Sequence, residues 1–119
     1  MHDKPVLIVE DDEDVRGALA VFLEGEGYRV LEAADGLEAL DHLRTASVCV
    51  VLLDLWMPRM NGWEFRAEQM KDPALAAVPV VVITADHAAR TKAVALGVEG
   101  YMTKPIEFPV LLEYMGRYC

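Results

Sequence analysis

The sequence predicts an α/β domain in which a five-stranded parallel sheet is covered by helices on both faces. Five short apolar runs alternate along the chain with segments of helical periodicity. Parallel strands that are buried on both faces read as continuous apolar runs, and their alternation with helices is typical of such a sheet. Right-handed crossovers make an open, doubly wound sheet the expected assembly, since five units are too few for the usual eight-fold barrel.

The elements can be placed in order along the chain. Strands are predicted at about residues 5 to 10, 28 to 33, 48 to 53, 80 to 84 and 98 to 102. The first, second and last helices are marked by apolar residues at helical spacing: Val15, Leu19, Phe22 and Leu23; Leu37, Leu40 and Leu43; Phe108, Leu111, Leu112 and Met115. The third and fourth helices are predicted at about 63 to 71 and 88 to 96. Gln69 interrupts the third helix, so its packing is expected to depend on Phe65 and Met70.

Length and composition favour a single compact domain over residues 1–119. The chain is 54% hydrophobic and 26% charged, and none of its apolar runs approaches the roughly 18 residues that cross a bilayer. A net charge of -9 argues against direct binding of nucleic acid, because phosphate backbones are held mainly by Lys and Arg.

The ends of the sequence and its cysteines suggest a cytoplasmic location. The first four residues, Met-His-Asp-Lys, lack the charged and apolar regions of a secretory signal. Cys49 falls in a predicted strand and Cys119 is the last residue, so we do not expect a disulfide. We expect instead that the protein resides in a reducing compartment.

Polar residues follow the predicted strands at the edge where function is expected. The apolar run from Val48 to Leu53 ends in Asp54, and the run from Val6 to Val9 ends in an acidic triplet, residues 10 to 12. The fourth strand ends in Thr84 and the fifth runs into Lys104. Ligands of doubly wound sheets bind at the carboxyl ends of the strands. Carboxylates, a hydroxyl and an ammonium at that edge suit a divalent cation and a phosphoryl group.

In this order and spacing, the motifs resemble the receiver domain of two-component response regulators. They are Glu10-Asp11-Asp12, Asp54-Leu55-Trp56-Met57-Pro58-Arg59-Met60-Asn61-Gly62, Thr84-Ala85 and Lys104-Pro105. The resemblance covers the whole chain and implies a flavodoxin-like receiver fold, (βα)5, with strand order 2-1-3-4-5.

The resemblance also implies a chemistry for Asp54. It would accept a phosphoryl group from a histidine kinase or a small phosphodonor, in a reaction that needs Mg²⁺ or, in its place, Mn²⁺. The implied metal ligands are Asp11, Asp12, Asp54 and the backbone carbonyl of Trp56. Helix capping and compensation of a helix dipole would also account for acidic residues after the first strand.

Further roles follow from the same resemblance. Thr84 would bind one phosphoryl oxygen and Lys104 another, with Pro105 in a cis peptide, whereas an ordinary strand-end threonine and a surface lysine are the alternatives. Tyr101 would form a switch with Thr84 that changes the surface of the fourth helix, fifth strand and fifth helix, or it would simply pack as a half-buried tyrosine. Trp56 and Asp86 would tune the lifetime of the phosphate.

The implied partners are a sensor histidine kinase or a histidine phosphotransfer protein, and a downstream output domain or effector. A homodimer through the fourth helix, fifth strand and fifth helix is common in the family, and no membrane partner is expected. Such a module catalyses its own phosphorylation, and in some cases its own dephosphorylation, without being a turnover enzyme. An aspartyl-phosphate phosphatase or phosphotransferase and a receiver-fold scaffold without phosphorylation remain the alternatives.

Overall fold

The computed structural model describes residues 3–119 and contains the predicted parallel sheet in the order β2-β1-β3-β4-β5. The strands are β1 (Val6–Val9), β2 (Val30–Ala33), β3 (Val50–Asp54), β4 (Val80–Thr84) and β5 (Gly100–Thr103). The helices are α1 (Glu13–Gly25), α2 (Gly36–Thr45), α3 (Gly62–Lys71), α4 (Pro73–Ala76), α5 (Ala89–Leu96) and α6 (Phe108–Tyr118). The predicted fold class and the strand order implied by the resemblance are therefore confirmed.

Both faces of the sheet are buried, which explains the continuous apolar runs. Alternate residues of the strands enter two separate cores: Leu7, Val51 and Leu53 face one, and Val6, Ile8 and Leu52 face the other. The first core is covered by side chains of α2, α3, α4 and α5, the second by α1 and α6. Within residues 3–119, no helix is long and apolar enough to cross a bilayer.

Two positions of the predicted apolar stripes lie at the surface. Leu37 is 43% exposed in the first turn of α2, and Phe108 is 45% exposed at the start of α6. The Phe108 ring nevertheless stacks on Phe22 of α1, with ring centroids 4.0 Å apart. Phe108 thus packs α6 against α1 at the surface, outside the buried core.

The third helix differs most from its prediction. Met70 is 52% exposed and does not support the packing, whereas Gln69 is fully buried. The Gln69 amide donates hydrogen bonds to the carbonyls of Leu75 (2.9 Å) and Val78 (3.1 Å). Its own carbonyl accepts from Arg66 at 2.8 Å. Buried polar groups are tolerated when they are bonded in this way, so Gln69 fixes the short helix α4, which the sequence pattern did not predict.

The two cysteines form a disulfide, contrary to the expectation from the sequence. Cys49 and Cys119 are bonded, with Cα atoms 5.3 Å apart. The expectation rested on Cys49 lying in a predicted strand and Cys119 being the last residue. The fold brings the end of α6 beside the start of β3, although the two cysteines are 70 residues apart in the sequence. The disulfide joins the C-terminus to the centre of the sheet, at the edge opposite the polar strand ends.

Candidate functional site

Three carboxylates meet where β1 and β3 end. Glu10, Asp11 and Asp54 each place a carboxylate oxygen within 4.8 Å of the others. The parallel register pairs Val9 with Leu53, so the residues that follow them leave the sheet side by side. Glu10 and Asp54 are only 2% and 5% exposed, whereas Asp11 faces solvent. One side of the cluster is therefore open to a ligand.

Asp12, which was predicted as a metal ligand, lies outside this cluster. It is the N-cap of α1, and its Oδ1 accepts hydrogen bonds from the backbone N–H groups of Asp14 (2.9 Å) and Val15 (3.2 Å). A carboxylate in this position satisfies free donors of the first helical turn and the helix dipole. Asp12 therefore lies outside the acidic cluster in this structure, and Glu10 lies there beside Asp11 and Asp54.

Lys104 faces the cluster from the end of β5. Its Nζ lies 2.5 Å from Oε1 of Glu10 and 3.9 Å from Oδ1 of Asp54. The backbone N–H of Lys104 donates to the carbonyl of Thr84 at 2.9 Å, which continues the pairing of β4 with β5 beyond the strand. The Lys104–Pro105 peptide is cis, as the resemblance implied. Lys104 therefore contacts the acidic cluster and is not a freely solvated lysine.

The pKa values of Glu10 and Asp54 are shifted in opposite directions. Burial, and then the neighbouring Glu10 carboxylate, raise the pKa of Asp54 to about 8, although Lys104 and the backbone N–H of Trp56 act in the opposite direction. Burial alone would raise the pKa of Glu10 as well, but its contacts with Asp54 and the Lys104 ammonium outweigh burial and hold that pKa below its ordinary value. The pKa of Lys104 is raised, because the attraction of these carboxylates exceeds the effect of its own burial. The site thus holds more negative charge than its one lysine balances.

The donor set fits a small hard cation. Oε2 of Glu10 is buried and is without a hydrogen-bond partner among the described residues. A buried carboxylate oxygen left unpaired is costly, and a bound cation would satisfy it. Carboxylate oxygens are also the donors that Mg²⁺ prefers. Glu10, Asp11 and Asp54 are the residues that could hold such an ion.

Thr84 and Tyr101 lie on neighbouring strands but point to different environments. Thr84 is 1% exposed, and its Oγ1 accepts a hydrogen bond from the backbone N–H of Asp86 at 3.1 Å. Tyr101 is 37% exposed on the edge strand β5. The hydroxyl of Tyr114 accepts from the backbone N–H of Tyr101 and donates to its carbonyl, both at 3.2 Å. The Tyr101 side chain is therefore outside the core, while its backbone is held by α6.

A glycine allows the loop after Asp54 to fold back on itself. The N–H of Gly62 donates to the carbonyl of Leu55 at 2.9 Å. A Cβ atom on Gly62 would lie 2.8 Å from Cα of Leu55 and 2.9 Å from the carbonyl oxygen of Asp54. Because both neighbours are backbone atoms, no larger residue fits without moving the loop. Gly62 thereby sets the path of the chain next to the site.

The same loop is tied to α2 by an ion pair. Arg59, with φ 60°, donates from Nε to Oδ2 of buried Asp35 at 2.6 Å. Asp35 is the N-cap of α2 and also accepts from the N–H of Glu38 at 3.0 Å. Burial would raise the pKa of Asp35, but the capping N–H groups and the Arg59 guanidinium hold it below its ordinary value. The loop is therefore anchored on the side away from β4.

The structure adds two residues that the sequence did not single out. Lys92 of α5 is bonded to Asp86 and lies over the rings of Trp56 and Trp63. The only signal in the sequence was the spacing of six residues between Asp86 and Lys92, which many unrelated pairs share. Nothing in the sequence indicated a role for Trp63, because its indole contacts that of Trp56 only once the chain has turned at Gly62.

Comparison with known proteins decides the family. The sequence profile of the response regulator receiver domain matches residues 6–115. The chain belongs to this family. It is a receiver domain of two-component signalling, with the fold and the acidic edge that the family shares.

Several relatives illustrate the match. The response regulator RR06 of Streptococcus pneumoniae is 33% identical over 112 residues, which cover 91% of this chain and 49% of that protein. The chemotaxis protein CheY4 of Vibrio cholerae superposes with a TM-score of 0.85 at 32% identity and covers 98% of both chains. The response regulator TrrA of Thermotoga maritima, solved in complex with Mg²⁺-BeF, gives a TM-score of 0.85 at 28% identity and covers 98% of this chain and 99% of that one.

The receiver domain is a part of many of these relatives. The chain spans 18% of the CAI-1 autoinducer sensor kinase/phosphatase CqsS of Vibrio cholerae, at 32% identity, and about half of RR06. The same module thus occurs both in sensor kinases and in response regulators.

Proposed function

We propose that Asp54 is the phosphoacceptor of this receiver domain, whose single functional unit spans residues 1–119. The observation that carries the proposal is the placement of a buried Asp54 carboxylate between two further carboxylates and the Lys104 ammonium. A carboxylate oxygen can attack phosphorus only if the negative charge of the incoming phosphoryl group is offset. Lys104 supplies one positive charge, and a cation at Glu10, Asp11 and Asp54 would supply more.

In this proposal Asp54 performs the covalent step. An Oδ atom of Asp54 forms a bond with phosphorus while the bond from phosphorus to the donor, a phosphohistidine nitrogen or the oxygen of a small phosphodonor, breaks. Mg²⁺, or Mn²⁺ in its place, would neutralise the transferring phosphoryl oxygens when bound. We assign its protein ligands to Glu10, Asp11 and Asp54, together with the carbonyl of Trp56. The Mg²⁺-BeF complex of the relative TrrA supports the proposal that this receiver domain binds Mg²⁺.

Thr84 and Lys104 would bind the phosphoryl oxygens once the bond has formed. The Thr84 hydroxyl can donate, because among residues 3–119 its oxygen is used only as an acceptor for the Asp86 N–H. Movement of Thr84 toward the phosphoryl group would free space beside β5, and the exposed Tyr101 ring would turn into it. This is the proposed switch, and it would change the surface formed by α5, β5 and α6, where α5 and α6 are the fourth and fifth helices of the sequence prediction.

The reaction would be catalysed by the receiver domain on itself, with no substrate released in repeated turnover. Hydrolysis of the phosphoryl group by the same site would reset it. A phosphatase acting through an aspartyl phosphate is less well supported, since such enzymes carry a second acid two residues after the nucleophile and this chain has Trp56 there.

The proposed partners are a sensor histidine kinase or a histidine phosphotransfer protein upstream, and an output domain or effector downstream. A homodimer through α5, β5 and α6 is a further proposal, whereas direct binding to nucleic acid or membranes is not proposed, given the net charge of -9. We propose a cytoplasmic location. The Cys49–Cys119 disulfide weighs against this, because such bonds persist in oxidising compartments. Alkylation of free thiols at the moment of cell lysis would test the location.

Intact-mass measurement after incubation with acetyl phosphate and Mg²⁺ tests the proposed function. The wild-type chain should gain one phosphoryl group, and Asp54→Ala should gain none. Asp11→Asn should lower the yield by about tenfold, because it removes a proposed ligand. Asp12→Asn is the matched control: it carries the same substitution one residue along, retains a good N-cap residue, and should keep the wild-type yield. An adduct that persists in Asp54→Ala would refute the assignment of the phosphoacceptor.

Trp56 and Asp86 remain the proposed tuning residues. Trp56 is 59% exposed, and its indole would shield the acyl phosphate from water. Loss of the phosphoryl group should therefore be faster in Trp56→Asn than in the wild type, and an equal or slower rate would contradict the shielding.

A further inference from the structure

Four side chains form a cluster on the surface next to the acidic site. Nζ of Lys92 is bonded to Oδ2 of Asp86 and lies 5.5 Å from the ring centroid of Trp56 and 5.7 Å from that of Trp63. The two indoles meet edge-on at 4.8 Å. The Lys92 side chain is only 25% exposed, so it is held in place and does not extend freely into water. We call Trp56, Trp63, Asp86 and Lys92 the lysine clasp.

The lysine clasp lies at the ends of the two strands that carry Asp54 and Thr84. The register of β3 and β4 pairs Asp54 with Ile83, so both strands end at the same level. Trp56 follows Asp54 by two residues, and Asp86 follows Thr84 by two. Because the backbone N–H of Asp86 donates to Oγ1 of Thr84, the Asp86 carboxylate leaves the chain next to a group that would bind the phosphate.

Both oxygens of the Asp86 carboxylate are occupied in this arrangement. Oδ1 accepts from the backbone N–H of Ala88 at 2.7 Å, and Oδ2 is bonded to Lys92. The two indole faces attract the ammonium and keep it beside Asp86. Lys92 is thus the one group of the lysine clasp whose removal would release a carboxylate oxygen without changing the chain near Asp54 or Thr84.

A released carboxylate would have a chemical consequence for an aspartyl phosphate. In hydrolysis, a water oxygen bonds to phosphorus, the bond from phosphorus to the Asp54 oxygen breaks, and Asp54 leaves as a carboxylate. One water proton remains on the inorganic phosphate and the other must be accepted. A free carboxylate beside the phosphoryl group can accept that proton as a general base, whereas one bonded to an ammonium is a much weaker acceptor.

We propose that Lys92 is a positioning residue that prolongs the phosphorylated state by holding the Asp86 carboxylate away from the attacking water. The inference rests on the proposed function, since it requires that Asp54 is phosphorylated. It assigns to α5 a direct influence on the chemistry of the site, through one side chain.

Decay of the phosphoryl adduct in a set of variants tests the inference. The chain is loaded with acetyl phosphate and Mg²⁺, the donor is removed, and intact mass is followed with time. Lys92→Met should lose the phosphoryl group about three- to tenfold faster than the wild type, below the roughly hundredfold effect of a fully positioned base. Lys92→Arg, which retains the charge, should restore most of the wild-type lifetime.

The double variant separates the mechanism from a general loosening of the fold. In Asp86→Asn the additional change Lys92→Met should have little effect, because no carboxylate is left to release. Lys71→Met is the matched control, since Lys71 also pairs with a carboxylate, Glu68, but is 70% exposed on α3. Its decay should equal that of the wild type, and melting temperatures should confirm that all variants are folded.

Two results would overturn the inference alone. One is a wild-type decay rate in Lys92→Met, and the other is an equal acceleration by Lys92→Met with and without the Asp86 carboxylate. If the wild-type chain takes up no phosphoryl group, the proposed function itself fails, and the inference with it.

Discussion

Asp54 shows how a single residue acquires its chemistry from its surroundings. Its carboxylate is buried beside Glu10 and is only partly compensated by Lys104, 3.9 Å away, so its pKa rises to about 8. An ordinary aspartate has a pKa near 3.9. Ionisation of Asp54 therefore costs more free energy in the folded protein than in the unfolded chain. A bound cation would lower this cost, because it would attract the ionised carboxylate.

Replacement of Asp54 by asparagine should stabilise the metal-free protein in a manner that depends on pH. Because the folded pKa is raised, the stability of the wild type is full below about pH 4 and declines as pH rises toward the folded value. The asparagine side chain of the variant does not ionise and avoids this loss. In EDTA at pH 8, Asp54→Asn should be more stable than the wild type by about 1 to 3 kcal/mol, and the difference should shrink toward pH 4.

Urea unfolding at a series of pH values measures this difference. Added Mg²⁺ should stabilise the wild type more than the variant, because an ion that binds only the folded state shifts the equilibrium by mass action. If the difference in unfolding free energy between Asp54→Asn and the wild type did not change with pH, the raised pKa of Asp54 would be contradicted.

Among the helices, α5 depends on a residue of another element. Arg66 of α3 is 7% exposed and donates to the carbonyls of Leu96 (3.1 Å) and Gly97 (2.8 Å). These groups lie where α5 ends, at a glycine with φ 67°. A cation at this position satisfies free carbonyls and the negative end of the helix dipole. The C-terminal end of α5 is thus held by Arg66, and Lys92 in the middle of the helix belongs to the lysine clasp.

Arg66→Met should therefore weaken the attachment of α5. Loss of the bonds to two carbonyls and to Gln69 should lower the free energy of unfolding by about 2 to 3 kcal/mol. Hydrogen exchange should accelerate in α5 more than in α1, because α1 covers the opposite face of the sheet from α3 and α5. Arg90→Met is the matched control, since Arg90 is an exposed arginine of α5 itself, and it should cost less than about 0.5 kcal/mol. Equal effects of the two substitutions would contradict this role of Arg66.

At the scale of the whole molecule, the Cys49–Cys119 disulfide closes most of the chain into a loop. It joins the beginning of the central strand β3 to the residue after α6, across 70 positions of sequence. A covalent link across so long a loop restricts the unfolded chain more than the folded one. The C-terminal helix is therefore attached by packing at Leu111 and Met115 and by a covalent bond at its end.

Removal of this link should reduce stability without changing the site. Cys119→Ser, or the wild type in reductant, should lose about 2 to 4 kcal/mol of unfolding free energy, the upper value corresponding to a loop of this length. Phosphorylation by acetyl phosphate should be retained, because the disulfide lies at the opposite edge of the sheet. Reductant should have no effect on Cys119→Ser, and a wild-type chain equally stable with and without reductant would contradict the prediction.

The sequence alone determined the strands, their polar ends and hence the place of the site. Continuous apolar runs such as Val50 to Leu53 identify strands buried on both faces, and parallel strands deliver the residues that follow them to one edge. The sequence therefore predicts that Asp54, Thr84 and Lys104 lie at one edge of the sheet, because this prediction needs only their positions relative to the strands.

The packed fold sets which of two neighbouring acids faces the site and which distant residues meet. Asp11 and Asp12 are equivalent in the sequence, but one enters the acidic cluster and the other caps α1, since successive side chains leave the backbone in different directions. The burial of Gln69, the disulfide and the lysine clasp depend on contacts between elements that are far apart along the chain. Local periodicity carries no information about such contacts, because they arise only when the sheet and its helices have packed.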